Sequence, residues 1–207
     1  MRVPTERKAV PPRPIGLSRL LLVEGETPLS FFDALTVHLG LSDRVEIRSF
    51  GGVRDLRKYL RTLVASADFR QVKKLGIIRD CEEDAAAAAQ SLRDVIEHVK
   101  IDRSRVEVSW LLLPDEKSPG MLETLLWRAI EQSPTAQCVD RFFKCIVEAG
   151  EQLPIGKLAF DKNRVQAYLA TTDKPQVSLG VAAQRSVWNF EDSVFDSLRT
   201  FIRNLCD

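Results

Sequence analysis

Histidine is almost missing from this chain: only His38 and His98 occur among 207 residues. The four cysteines, Cys81, Cys138, Cys145 and Cys206, form no C-x-x-C pair. Together these two shortages exclude a zinc constellation at ordinary ligand spacing. An excess of one charge is missing as well. Thirty Lys plus Arg stand against 29 Asp plus Glu, a formal net charge of +1. The bulk electrostatic signature of a polybasic nucleic-acid binder is therefore absent, and any such contact must be local. No apolar run approaches a membrane span, and the Arg- and Pro-rich start has no signal-peptide core. The expectation is a cytoplasmic protein, with no membrane partner and with free thiols. Cys138 and Cys145, seven apart on one helix, read as buried small apolar residues.

What the chain does have is ordinary globular material, 44% apolar and 29% charged, enough for a real core. Residues 1–18 carry Pro4, Pro11, Pro12 and Pro14 with Arg2, Arg7, Lys8 and Arg13, and read as an irregular basic arm. A regular pattern begins at Arg19. Leu20 to Val23 is a short apolar run ending in Glu24-Gly25, and Thr27-Pro28 supplies a helix cap and a first-turn proline. The theme repeats with a strand over 45–50, a Gly51-Gly52 turn, and a helix whose apolar face is Leu56, Tyr59, Leu60 and Leu63. A third strand over 74–79 runs into Asp80-Cys81-Glu82-Glu83-Asp84. Five alanines then open a helix to about Lys100, and a fourth strand covers 106–113.

Four strands alternating with three helices imply right-handed crossovers and an α/β fold, a mainly parallel sheet covered on both faces. After Pro114 the segments 119–131, 136–149, 162–171 and 191–205 read as helices. The expected organisation is an arm over 1–18, an α/β core over 19–114, and a helical extension over 115–207 packed on the sheet's last strand and edge. Trp188, Phe190, Phe195, Leu198, Phe201 and Ile202 fit core packing better than a base-stacking platform.

In an open parallel sheet the ligand crevice lies beyond the carboxyl ends of the strands. Glu24 ends the first strand and Asp80 the third. If those strands are neighbours, a spacing of about 4.8 Å brings the two carboxylates into one site, with Glu82 and Asp84 close behind. Such crowding calls for a cation or a shared proton, and hard oxygen donors favour Mg²⁺ or Mn²⁺. The competing reading is helix chemistry, in which Glu82 and Glu83 complement a macrodipole and Asp84 caps the alanine-rich helix. Arg79 should point to the opposite face from Asp80, and the acidic neighbourhood should raise the Cys81 thiol pKa.

The segments Leu21-Leu22-Val23-Glu24-Gly25 and Gly76-Ile77-Ile78-Arg79-Asp80-Cys81-Glu82 resemble the two signature motifs of Toprim domains, the Rossmann-like metal-binding fold of topoisomerases, primases and OLD-type nucleases. From about Arg19 to Leu205 the chain is similar to the stand-alone Toprim-like family DUF3226. That likeness also rests on Gly51-Gly52, Leu113-Pro114-Asp115, Pro119-Gly120-Met121-Leu122-Glu123, the stretch 162–170 and Trp188-Asn189-Phe190. The resemblance implies a Toprim sheet in which Glu24 is a general acid or base, or a metal ligand. Asp80, Glu82 and Asp84 would hold Mg²⁺ or Mn²⁺, Asp115 and Glu123 would serve a second metal, and Lys162 would stabilise charge on a transferring phosphate. Where Toprim domains carry Asp-x-Asp, this chain has Asp80-Cys81-Glu82.

The implied activity is metal-dependent phosphodiester cleavage of DNA or RNA. A basic strip of Arg44, Arg48, Arg54, Arg57, Lys58 and Arg61 could meet the phosphates, or be an ordinary charged helix face. Topoisomerase chemistry is disfavoured, because Tyr59 and Tyr168 sit on apolar helix faces. The alternative, favoured by the Asp-x-Glu departure and the balanced charge, is a catalytically weak Toprim-fold module acting with a protein partner, for example in phage defence. A homo-oligomer is compatible with both.

Overall fold

The computed structural model describes residues 14–150, 156–175 and 178–207; residues 1–13 of the expected arm lie outside the described residues. Four strands, β1 (Arg19–Val23), β2 (Glu46–Ser49), β3 (Lys74–Asp80) and β4 (Glu107–Leu113), form one sheet in the order β2-β1-β3-β4. All neighbours are parallel, with Val23 opposite Ser49 on one side and Ile78 on the other, and Asp80 opposite Leu113. The chain fills the sheet to one side of β1 and then crosses to the other, so the topological switch point lies between β1 and β3.

Alternation along the strands feeds two cores. Leu21, Val23 and Ile78 face one apolar cluster, while Leu20, Leu22, Leu75 and Ile77 face the other. Burial on both faces is why β1 is a continuous run of leucines and valine and not an alternating pattern. The second cluster is closed by α2 (Leu56–Ala65), a 3₁₀ turn at Ala67–Gln71 and α3 (Ala85–Val99). The first, larger cluster is closed by α1 (Glu26–His38), α4 (Leu122–Arg128), α5 (Pro134–Glu148), α6 (Lys157–Ala170), α7 (Leu179–Gln184) and α8 (Asp196–Cys206). Trp188, Phe190 and Phe195 cluster edge-on or tilted around Phe31 in this core, with Leu198 and Ile202 buried nearby.

The helices differ from the sequence expectation where loops compete. Gly25, at φ 87°, takes the position before α1, and Pro28 falls inside its first turn. The 119–131 segment shortens to α4 because Gly120 pairs backbone to backbone with Glu82, holding the chain extended until Met121. The six residues of α7 are too few to display a period. Cys138 and Cys145 are exposed, not buried: the inward stripe of α5 is Ala136, Val139 and Phe143, and the cysteines share an outward face with Phe142.

α8 returns across the sheet over β3 and β4. It fits because Gly76 has no side chain: a Cβ there would lie 2.8 Å from Leu205. Three cations then close the helix end. Arg44 donates to Cys206 O (2.6 Å), Lys74 to Asn204 O (2.9 Å) and Arg19 to Asp207 O (3.1 Å), satisfying carbonyls that lack intrahelical partners. Among the described residues, no helix is long and apolar enough to cross a membrane.

The tightest approach joins α7 to α1, where a Cβ at Gly180 would sit 2.1 Å from the Ser30 Cβ. Gly180→Ala is expected to lose about 1–3 kcal/mol in a denaturant titration. Gly156→Ala, whose Cβ would meet no described atom within 4 Å, loses only a glycine N-cap of α6 and is expected to cost less than about 1 kcal/mol.

Candidate functional site

The parallel pairing of β1 with β3 carries Glu24 and Asp80 out of the sheet side by side at the switch point. Both are only partly exposed. Burial raises the Glu24 pKa and Glu82 adds to the effect, against the Arg79 guanidinium and the backbone amides of Asp80 and Val53, which lower it. One of its oxygens, Oε2, is buried without a hydrogen-bond partner. Asp80 is more strongly perturbed. Burial first, then the charges of Glu24 and Glu123, push its pKa up to about 8. The Leu122 amide, which donates to Asp80 Oδ1 at 3.0 Å, and Lys162 oppose that rise.

The helices after β4 complete the crevice. Glu123 lies in the first turn of α4, where burial raises its pKa and its own amide and Lys162 lower it. α6 brings Lys162, exposed, within electrostatic reach of both Asp80 and Glu123. A buried polar chain holds α4 to α6: Met121 N donates to Thr124 Oγ1 (3.2 Å), which donates to Asp161 Oδ2 (2.7 Å). Arg164 lies 3.4 Å from Asp161 Oδ1, binds Asp140 of α5 through two nitrogens at 2.8 and 2.9 Å, and stacks 4.0 Å from the Trp127 ring centre. Lys162 thus stands on a helix anchored one residue before it and two after.

Other acidic residues are placed differently. Asp115 accepts from Arg128 (2.8 Å) and from the amides of Lys117 (2.9 Å) and Ser118 (2.7 Å). Against the opposing effect of burial, these hold its carboxyl down at about 2. Asp84 caps α3, accepting from Ala87 N at 2.9 Å. Glu82 is exposed, at the strained φ of 55° that its bridge to Gly120 imposes. Glu82, Glu83 and Asp84 line a separate groove of about 460 Å³ with Arg79, which donates to Ala88 O (3.4 Å) and Ser91 Oγ (3.2 Å). Arg79 does leave β3 on the face opposite Asp80, yet its charge still reaches Glu24. Cys81 is buried, and desolvation, then Asp115 and Asp80, push its thiol up to about 11.

The expected basic strip divides. Arg44 is engaged with the end of α8 and Arg48 pairs with Glu46 at 2.6 Å. Arg54, Arg57, Lys58 and Arg61 remain exposed and together line a groove of about 740 Å³ with Thr62, Ala65 and Ser66. Tyr59 and Tyr168 are half-buried against the two apolar clusters.

Glu24 Oε2 has no hydrogen-bond partner among the described residues, and the pKa values of Glu24, Asp80 and Glu123 are all raised, so the crevice offers hard, negative oxygen donors. Among the described residues, no group of three or more His, Cys, Asp or Glu side chains is placed so that it could hold a metal ion. Mg²⁺ does not require such a group, since it commonly keeps several waters and takes one or two carboxylates plus substrate phosphate. Sequence reasoning reached Glu24, Asp80, Glu123 and Lys162, but not the Val53 and Leu122 amides or the Asp161–Arg164 brace. Backbone donors leave no mark in residue type, and the brace depends on how α4, α5 and α6 meet.

A doubly wound parallel sheet with three carboxylates and a lysine gathered at its switch point is an α/β protein of the Rossmann-like class. Residues 18–207 match the family described as "Protein of unknown function (DUF3226)", and the chain belongs to that family. No curated protein and no solved structure matches the chain.

The raised carboxyl pKa values set the sign of the protein's pH response without metal. The native state keeps protons that the unfolded chain releases, so stability falls as pH climbs from the ordinary carboxylate range toward about 8. Thermal melts in a chelating buffer should show that decline, and Asp80→Asn should flatten it.

Proposed function

We propose that the chain is a Toprim-type, Mg²⁺- or Mn²⁺-dependent hydrolase that cleaves phosphodiester bonds of nucleic acid. The observation that carries this reading is the crowding of Glu24, Asp80 and Glu123 at the switch point, with Asp80 raised to about 8 and Glu24 Oε2 unpartnered. Like charges so placed are costly alone and become favourable around a cation. Asp80 and Glu123, with Glu24 beside them, would hold the ion. When bound, it supplies Lewis-acid charge for phosphoryl oxygens and eases deprotonation of water.

The chain's own residues divide the remaining work. Glu24, with its pKa raised by burial, accepts a proton from the attacking water. Lys162 offsets negative charge developing on the phosphoryl group. The Leu122 amide fixes the orientation of Asp80. Cys81, with its thiol pKa near 11, takes no part as a nucleophile.

A second reading is favoured by the two acids engaged elsewhere, Asp84 as a helix cap and Asp115 as the partner of Arg128. With fewer carboxylates free, the protein would be a catalytically weak module of the same fold, acting in the cytoplasm with a protein partner or a second copy of itself.

Purified protein incubated with plasmid, single-stranded DNA and structured RNA decides between them. The hydrolase predicts cleavage that requires Mg²⁺ or Mn²⁺ and falls by about 10²-fold or more in Glu24→Gln, Asp80→Asn and Glu123→Gln, while Asp115→Asn retains most of it. Metal binding by calorimetry without cleavage of any substrate would favour the weak module. Absence of metal binding would remove both versions of the site.

A further inference from the structure

On the sheet face away from Asp80, two concavities adjoin along α2. One is the basic groove of Arg54, Arg57, Lys58 and Arg61. The other, of about 290 Å³, is mostly apolar and lined by Ile15, Phe50, Tyr59 and Leu63, with Arg48, Asp55 and Asp68 at its border. Lys58, Thr62 and Ser66 line both. We propose that this paired surface binds single-stranded nucleic acid, the basic groove carrying its phosphates and the pocket beside Tyr59 accepting one unstacked base.

The charges are available for it. Arg54, Arg57, Lys58 and Arg61 make no ion pair or side-chain hydrogen bond among the described residues, although acids and bases are nearly equal in number over the chain. Arg57, Lys58 and Arg61 share one side of α2, and Arg54 stands in the turn just before the helix and lines the same groove. A folded surface that leaves four cations in a row unpaired presents a footprint for a polyanion.

The adjoining pocket specifies which polyanion. It lies near the lower end of the size range for ligand sites, roughly 300–1,000 Å³, so it takes a single ring system. Tyr59, half-buried, supplies aromatic surface over a floor that includes the buried Phe50, and Arg48, Asp55 and Asp68 supply donors and acceptors. Phosphates in a basic groove with bases on aromatic side chains is the common physics of single-strand recognition. A duplex keeps its bases stacked and cannot fill the pocket. An acidic peptide could meet the cations but has no planar ring for it.

The surface also leads to the crevice. Val53, whose amide faces the Glu24 carboxylate, directly precedes Arg54, so a strand held along α2 reaches the switch point over the Gly51–Asp55 turn. That a held strand is there to be cut rests on the hydrolase reading above; the binding itself does not.

The test measures binding in EDTA, where no cleavage can occur. Fluorescein-labelled oligothymidylate and oligouridylate of about twelve nucleotides, a matched duplex, and a poly-glutamate competitor are read by anisotropy. Single strands are expected to bind at least about ten-fold more tightly than duplex. Arg57→Glu combined with Arg61→Glu should weaken binding by about ten-fold or more and reduce its salt dependence. Tyr59→Leu should weaken single strands by about five-fold while sparing duplex. Because Tyr59 also packs on the core, a second readout uses the unaltered chain: photocrosslinks from 5-iodouridine should map to Tyr59. Equal affinity for duplex, effective competition by poly-glutamate, no binding, or crosslinks confined to another face would each overturn the proposal. The two readings fail separately. Metal-dependent cleavage without single-strand preference removes the α2 surface and leaves the hydrolase, whereas preferential binding in EDTA without cleavage under Mg²⁺ or Mn²⁺ does the reverse.

Discussion

Pairing β1 with β3 in parallel, with Val23 opposite Ile78, obliges the chain to bring two acids out of the sheet together. Everything around the switch point can be read as a response to that constraint. Two partly buried carboxylates repel each other in a medium that screens poorly, and the fold offers only partial relief. Arg79 reaches Glu24 from the other face, Leu122 donates one amide to Asp80, and Lys162 approaches from solvent. A fold optimised for stability alone would have paired Asp80 with a cation, as it paired Asp115 with Arg128 and two amides. The carboxyl of Asp115, with its partners, is held near 2, while that of Asp80, at the end of β3, is raised to about 8, a contrast that sequence position does not reveal.

The helices after β4 work as much for the site as for the core. α4 and α6 supply Glu123 and Lys162, and the side chains that align them are Thr124, Asp161, Arg164 and Asp140. Arg164 is suited to this task because a planar guanidinium can bind a carboxylate through two nitrogens and stack on Trp127 at once. The far end of the sheet is closed by different means, with Arg19, Arg44 and Lys74 holding the carbonyls that end α8. The sheet thus has one end satisfied by cations and one end left acidic.

How much of this could be read from residues alone follows from the range of each interaction. Strand-to-helix alternation is local, so the parallel sheet and its covering on both faces were legible in apolar runs separated by Glu24-Gly25, Gly51-Gly52 and the alanine run after Asp84. Glu24 and Asp80 were legible because strand ends are marked by where the apolar run stops. Cys138 and Cys145 were misjudged because seven-residue spacing says that two residues share a face, not which way the face points, and Val139 and Phe143 point inward instead. Asp115 and Glu123 looked equivalent in sequence. What separates them is a loop that wraps one around Arg128 and a helix start that aims the other at Lys162.

The near-equality of 30 basic and 29 acidic residues conceals a separation that matters for substrate approach. Acids gather at the carboxyl ends of β1 and β3, where a cation could neutralise them, while Arg54, Arg57, Lys58 and Arg61, on α2 and in the turn before it, make no ion pair among the described residues. A polyanion near the protein therefore meets attraction and repulsion on neighbouring surfaces, not an average of the two. Salt at physiological strength screens charges beyond roughly 8 Å, so the basic groove acts where it is and does not cancel the acidic crevice. Loading the crevice with a divalent ion would turn its repulsion into attraction for phosphate. Under the proposed hydrolase reading a metal would govern approach as well as chemistry, because an ion that balanced the carboxylates of the crevice would also lower the barrier between the groove and the site.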